Sequence, residues 1–505
     1  MFNRYGIFAA YLVAIPLALV LGFLAATPDE LTFMLIGMLL FFLALPLFIT
    51  WHHTLLIVFW NSAFIAFFLP GQPQIWLLVA GFSFGISLLN HIMFQKRFLH
   101  VPEMIPPLLS LAAVVLGTAF YHGGIGLQAL GGSTSGGRYY IFLLGAIIGY
   151  FALTSNPIPI LKSGKMINLF FLSGTTFALS NLAYTLGPIF YFVYYFVPSD
   201  MASSQVASDF GLTSMDRLMS LTPACNAVFC FLLVHYGLRG LFDWTKPWRL
   251  FFLCVTVGAA FFAGFRSGLI VLFLIFAFQF YFEGLVRTRF LPIVLGVVAF
   301  ALVPIMLFSD RMPPVVQRAI SFLPVKLDAE VREDAVGSTD WRLQMWAIVV
   351  KDVPKYLIVG KGYGIDPTDM FLTTEAIRMG MLNSYEESML AGDYHSGPLS
   401  VIIPFGIFGV LAFLWVLIAG YRILLSNYRY GDARLRRINT TLLSYYLTYC
   451  FTFFFIFGAF NSELSIFLGV VGISVSVNGG VRRKPKFVAE RLRAAQPPAY
   501  AMEVK

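Results

Sequence analysis

About fourteen apolar stretches, most of them near twenty residues long, follow one another along this 505-residue chain. A helix needs about 20 mostly apolar residues to cross the hydrocarbon layer of a bilayer. Lipid cannot satisfy loose backbone groups, so helices are the expected element. Hydrophobic residues make up 59% of the chain and charged residues only 12%, a balance outside the range of ordinary soluble domains. The expected fold is an all-α polytopic membrane protein with about 12–14 transmembrane helices. The segment at 5–26 reads as a retained span, because no small-residue cleavage site follows it. The stretches at 51–69 and 167–196 are awkward lengths for a single crossing.

Orientation follows from Lys and Arg in the connections. With the N-terminus and Arg4 inside, the inner connections receive 22 basic and 6 acidic residues, including Lys96, Arg97, Lys162, Lys165 and the group from Arg422 to Arg437. The outer connections then receive 12 basic and 19 acidic residues. Reversal would invert the bias, so both termini are expected in the cytoplasm. The net charge of +9 is therefore a topology signal and not one for nucleic acid. The basic tail from Arg482 reads first as an inside anchor, and otherwise as a contact for anionic head groups. Cys225, Cys230, Cys254 and Cys450 fall within expected spans and serve as small apolar residues.

Five regions organise the chain: N-terminal transmembrane helices at 1–200, central helices with outer arginine turns at 201–308, one large polar outer loop at 309–396, C-terminal helices at 397–480, and a basic cytoplasmic tail at 481–505. Further outer polarity lies in the Gly-rich stretch from His122 to Arg138 and in the run from Pro198 to Ser220, which holds Asp200, Asp209 and Asp216. Within the large loop, Ser338 and Thr339 are placed to cap a helix starting near Asp340 and stopping before Pro354. Trp341, Met345, Ile348 and Val349 fall on one side of it, which suits a helix at the membrane surface.

Arg266 interrupts an apolar run of nearly forty residues. A charge at that depth costs a few kcal/mol unless it reaches water or a partner. The bland reading is a turn charge; against it, the turn lies on the side that the positive-inside rule leaves poor in cations. A guanidinium held there suits a phosphate or pyrophosphate, which it grips bidentately. Arg342 is a solvated face residue on the bland reading, but Trp341 and Trp346 would anchor its helix at phosphate depth. Arg217 is a third member before another span, and Arg138 a fainter one. His395 closes the long loop immediately before the span at 397–420, beside Asp393, Glu386 and Glu387. It is the histidine placed to take a proton from a hydroxyl; the bland alternative is an interfacial histidine without a role. Metal and cofactor chemistry is not expected, because no His-x-x-x-His occurs and the outer acids are scattered, although carboxylate binding of a divalent ion through Asp200, Asp209 and Asp216 stays open. The run Gly360-Lys361-Gly362-Tyr363-Gly364 has the glycines of a nucleotide loop without its strand–loop–helix setting.

Taken in order, these pieces resemble the O-antigen ligase/polymerase superfamily of bacterial membrane glycosyltransferases. Arg217 to Asn226 looks like the family's arginine-to-Pro-x-Asn entry into a span. Phe265-Arg266-Ser267-Gly268 is similar to its Ser-Arg-Gly turn, with Phe265 in place of serine. Arg342-Leu-Gln-Met-Trp346, followed by Gly360-Lys-Gly362, resembles its Arg-x-x-x-Trp and Gly-x-Gly element. Tyr394-His395-Ser396 with Phe405-Gly406-Ile-Phe-Gly409 resembles its His-Asn and Gly-x-x-Gly signature, with Ser396 where asparagine is common. The likeness covers mainly residues 210–425.

The resemblance implies a GT-C-like helical architecture in the bacterial inner membrane, with a periplasmic loop containing short helices and working without a metal. It implies a glycan donor linked through pyrophosphate to undecaprenol, and an acceptor glycolipid or glycan. His395 would be the general base, with Arg266 and Arg342 holding the pyrophosphate and Arg217 assisting. A ligase acting on lipid A-core or another acceptor is the first expectation, and a polymerase using the same donor the second. A transporter is disfavoured because charges sit at the ends of spans.

Overall fold

The computed structural model describes residues 30–95, 98–123, 136–209 and 215–484, with isolated positions between 16 and 22. Most of the expected first span at 5–26, the Lys96-Arg97 pair, the glycine stretch at 131–135 and the tail beyond Lys484 lie outside the described residues. Among the described residues the elements are helices, with one isolated bridge between Ile65 and Gln74. Seven are long and apolar enough to cross a membrane: Ile75–Phe94, Ile105–His122, Ile160–Leu186, Leu221–Leu241, Phe290–Arg311, Gly397–Tyr430 and Phe460–Asn478. Four shorter apolar helices accompany them, at Phe48–Phe59, Gly137–Leu153, Pro247–Phe261 and Arg266–Phe282. The chain is thus an all-α, multi-pass membrane protein.

Where the expected spans were awkward, the structure differs. The break expected between 50 and 54 falls inside one helix, Glu30–Phe59. His52 and His53 are tolerated there because neighbours satisfy them: His52 Nδ1 meets Ser83 Oγ at 2.8 Å and His53 Nε2 meets the Leu153 carbonyl at 2.8 Å. The long segment at 167–196 is divided into Ile160–Leu172, a 3-10 turn at Ser173–Phe177, Ala178–Leu186, and a second 3-10 stretch at Pro188–Tyr195. Ser173, Thr175 and Thr176 donate their hydroxyls to carbonyls three residues back, which tightens the turn at that point.

The bundle has two distinguishable ends. At one, Glu103 pairs with Arg483, and Glu283 accepts from the Leu238 amide at 2.9 Å. Near it, Asn439 Nδ2 donates to the Asn427 carbonyl at 3.0 Å and to Asn478 Oδ1 at 3.1 Å, fastening the last three helices. Such bonds substitute for the hydrophobic drive that lipid cannot supply between helices. At the other end lie Gly136, Arg217 and Gly264, and over it closes the 309–396 segment.

That segment builds a small apolar core against the start of helix Gly397–Tyr430, with its Met345, Val349, Tyr385 and Tyr394 buried together with Ile403 of that helix. Its principal helix runs from Ala329 to Tyr356, longer at both ends than expected, and carries Pro354 within its last turn. The apolar side expected at the membrane surface instead buries Met345 and Val349 inside this unit. Ser338 and Thr339 are not caps: both hydroxyls donate to the Ala335 carbonyl, at 3.1 Å each, from inside the helix. The helix starts eleven residues earlier because Asp328 holds its entry, its amide donating to Gln317 Oε1 at 2.8 Å while its carboxylate accepts from Gln317 Nε2 at 2.8 Å.

A backbone lock ties this unit to the membrane. Helix Gly397–Tyr430 breaks at Gly406, where φ is 62° and ψ −161°. The break, next to Pro404, frees peptide groups that lipid could not satisfy. The 357–362 stretch takes them up. Lys361 N donates to Ile403 O at 2.7 Å, Gly362 N to Pro404 O at 2.9 Å, and Ile407 N to Leu357 O at 2.6 Å. Neither partner admits a side chain: a Cβ on Gly360 would collide with the Pro404 carbonyl, and one on Gly406 would stand 2.7 Å from the Leu357 and Ile358 carbonyls. Tyr140 Oη accepts from the Tyr363 amide at 2.8 Å and seals the lock from the opposite side.

Candidate functional site

The first half of helix Ala329–Tyr356 faces the bundle end, and four arginines gather along it. Arg266, the first residue of helix Arg266–Phe282, donates through Nη2 to the Ala335 carbonyl at 3.2 Å, to Ser338 Oγ at 2.9 Å and to Thr339 Oγ1 at 3.3 Å. Arg217, before helix Leu221–Leu241, lies 3.6 Å from the Asp334 carboxylate. Arg342 stands two turns further along and lines a cavity of about 410 Å³ with Asp334, Gly337, Ser338, Trp341 and His395. Burial first, and the charge of Arg318 second, pull the Arg342 guanidinium below the usual arginine range. The same two causes, in the same order, lower that of Arg217, and Asp334 opposes them. Positive charge is therefore crowded here with one carboxylate to balance it.

Arg318 is the member that sequence reasoning missed. It sits in the short helix Pro314–Ala319 and is 8% exposed. Its Nε donates to Asp334 Oδ2 and its Nη1 to the Gly264 carbonyl at 2.7 Å. One guanidinium thereby joins the turn that presents Arg266 to the helix that presents Arg342. A buried unpaired arginine would be costly, so the Asp334 partner is required. The available signal was a lone cation in the apolar run Val315-Val316-Gln317-Arg318-Ala319-Ile320, the pattern that drew notice to Arg266. Arg138 takes no part in this group and stacks on Phe142, 5.3 Å from the ring centre.

His395 lies on the opposite wall of the cavity. Its φ is 46°, a left-handed conformation uncommon outside glycine and, in a non-glycine residue, a mark of local strain. Several contacts hold it. Trp346 Nε1 donates to the carbonyl of Tyr394 at 2.8 Å, Trp341 packs its ring 5.5 Å from the imidazole, and Trp341 Nε1 donates to Ser384 Oγ at 2.8 Å. Asp393 Oδ1 accepts from the His395 amide at 3.4 Å and lies 3.7 Å from Nδ1, close enough to orient the ring though too long for a direct bond to it. The imidazole is 37% exposed and open to the cavity. The Arg-x-x-x-Trp spacing acquires a physical meaning from this: Arg342 enters the cavity, and Trp346, one turn on, fixes the segment that carries His395.

Of the four site residues expected from sequence, Arg342 and His395 line the cavity, while Arg266 and Arg217 reach two residues of its wall, Ser338 at 2.9 Å and Asp334 at 3.6 Å. Glu386 does not share it; with Asp352, Tyr356 and Lys361 it lines a smaller cavity of about 220 Å³ on the other side of Tyr394. Asp200 and Asp216 are not among the residues lining either cavity, and Asp209 accepts from Tyr184 Oη at 2.6 Å. Among the described residues no three His, Cys, Asp or Glu side chains gather as a metal-ligand set.

A helical membrane bundle with cations and one histidine around a cavity at its end defines an integral membrane protein with a cationic cleft. Residues 224–414 match the model of a family described as O-antigen ligase, and the match supports the O-antigen ligase superfamily for this chain. The matched stretch contains Arg266, Arg318, Asp334, Arg342 and His395, and Arg217 lies just before it. It supports glycosyltransferase activity of the ligase or polymerase kind. No curated protein matches the chain.

Proposed function

We propose that this protein transfers a glycan from an undecaprenyl-pyrophosphate carrier to an acceptor hydroxyl at the outer face of the bacterial inner membrane, as an O-antigen ligase. The observation that carries the reading is that Arg342 and His395 line one cavity, with Arg266 and Arg217 held against its wall residues Ser338 and Asp334. Guanidinium groups stay charged at any relevant pH and match phosphate oxygens in pairs. The pyrophosphate would lie along the arginines, with the sugar's anomeric carbon towards His395. His395 would take the proton of the acceptor hydroxyl as its oxygen bonds to that carbon. The bond from the anomeric carbon to the phosphate oxygen breaks, and undecaprenyl pyrophosphate leaves with its charge held by the arginines. Donors already aimed at charge as it develops supply much of the rate acceleration in many such reactions. The inner ends of the helices, which bear the basic connections, would face the cytoplasm.

The test is deletion of the gene in its host, with complementation by wild type, His395→Ala or Arg342→Ala, and surface glycans resolved on a gel. Loss of every glycan-capped species, with lipid-linked polymer accumulating, supports a ligase acting on lipid A-core or an equivalent acceptor. Survival of a cap of one repeat unit identifies a polymerase instead. Full activity of His395→Ala would refute the assignment of the base.

A further inference from the structure

Asp334 is the one carboxylate ion-paired within the arginine group among the described residues. Its two partners hold it unequally. Arg318 grips it in a part-buried hydrogen bond, whereas Arg217 stands 3.6 Å away, beyond hydrogen-bond length. Arg217 has capacity to spare: its Nε is buried with no hydrogen-bond partner among the described residues, and buried donors are almost always satisfied. Asp334 is itself 31% exposed and lines the cavity, so a ligand entering there meets the Arg217–Asp334 contact directly. Carboxylate and phosphate present the same paired oxygens to a guanidinium fork.

We propose that Asp334 is a resident counter-ion holding the place of a phosphate on Arg217, and that a phosphate group of the incoming substrate displaces it there while Arg318 retains it. The phosphate is taken to be the donor's, which rests on the function proposed above. In the empty site the carboxylate keeps four like charges from repelling one another apart; in the filled site Arg217 exchanges a distant partner for a close one. The exchange sets an affinity ceiling, because every phosphate bound must compete with an intramolecular anion. That makes Asp334 a specificity-determining residue, favouring ligands with two negative charges over those with one.

The sign of the effect separates this role from a structural one. The full chain in detergent is titrated with inorganic pyrophosphate at fixed ionic strength, as wild type, Asp334→Asn and Asp369→Asn, the last removing an exposed acid elsewhere on the loop. Asp334→Asn is expected to bind on the order of tenfold more tightly, Asp369→Asn as wild type does, and the gain is expected to vanish in an Arg217→Gln background. Equal or weaker binding by Asp334→Asn overturns the proposal and leaves the donor reading standing; no binding by any form removes both. Should Asp334→Asn not fold, Arg217→Gln alone decides: unchanged thermal stability with pyrophosphate binding lost agrees with the loose contact, and lost stability with binding intact overturns it. Undecaprenyl pyrophosphate competing at lower concentration than phosphatidylglycerol assigns the seat to the donor, whereas equal competition assigns it to a phospholipid head group and overturns the donor's part in the exchange.

Discussion

His395 combines a left-handed backbone, an indole against its ring and a carboxylate 3.7 Å from its Nδ1. Replacing it by alanine removes the proposed base and leaves the left-handed backbone at that position. The chain should keep its helix content while transfer falls by about 10²–10⁴-fold, the range for loss of a general base, measured by movement of glycan from the undecaprenyl carrier to the acceptor in membranes. Arg342→Lys keeps the charge but loses the planar fork; a smaller drop, about tenfold or more, is expected in the same assay. Arg318→Leu behaves differently, because it strands Asp334 and the Gly264 carbonyl. It should cost about 3 kcal/mol in stability, seen as a lower Tm in detergent. At this scale the sequence was readable where a charge stood out against hydrocarbon. Arg266 did so in a long apolar run, whereas the apolar run around Arg318 is six residues long inside a polar loop, and Asp334 was one of many acids in that loop.

Among the elements, the lock between the 357–362 stretch and the broken helix Gly397–Tyr430 is the part most sensitive to a single atom. Gly360→Ala places a methyl group against the Pro404 carbonyl at a φ of +80°. It should lower stability by about 2 kcal/mol or more and lower activity with it. Gly337→Ala is the converse case: it is helical, and a Cβ there meets nothing within 4 Å. A gain of roughly 0.5–1 kcal/mol is expected from the helix, with any loss of transfer coming from the narrowed cavity. Thermal unfolding of the two variants side by side checks both signs. The glycines around 360 and 406 were visible in the sequence as two separate patterns. Their pairing was not, because the hydrogen bonds that join them run between residues some forty positions apart. The helix at 329–356 was half legible for a similar reason: Ser338 and Thr339 look like caps locally, but the entry is fixed by Gln317 and Asp328 from outside the pattern.

For the whole molecule, the all-helical, multi-pass fold follows from hydrocarbon length alone, and the structure has it. The individual spans were less legible where polar residues find partners inside the bundle, as His52 and His53 do. The basic connections predict both termini in the cytoplasm by the positive-inside rule, and labelling tests it. A cysteine placed at Asp369 should react with a membrane-impermeant maleimide in intact spheroplasts, and one at Arg434 only after permeabilisation; the opposite pattern would invert the protein and take the site away from the outer face. Of the native cysteines, Cys225 and Cys230 are buried, and the exposed Cys254 is replaced beforehand to remove its background.

The interlocked backbone also bears on the order in which the protein is made. Residues 309–396 emerge from the ribosome before residues 403–407, whose carbonyls and amide complete the fastening. The water-exposed unit therefore cannot reach its final shape until the following helix has entered the bilayer and broken at Gly406. His395 stands between the two, at the seam. The polar segment waits on the membrane segment, and a chain halted after the loop would carry every arginine of the site and still have no working centre.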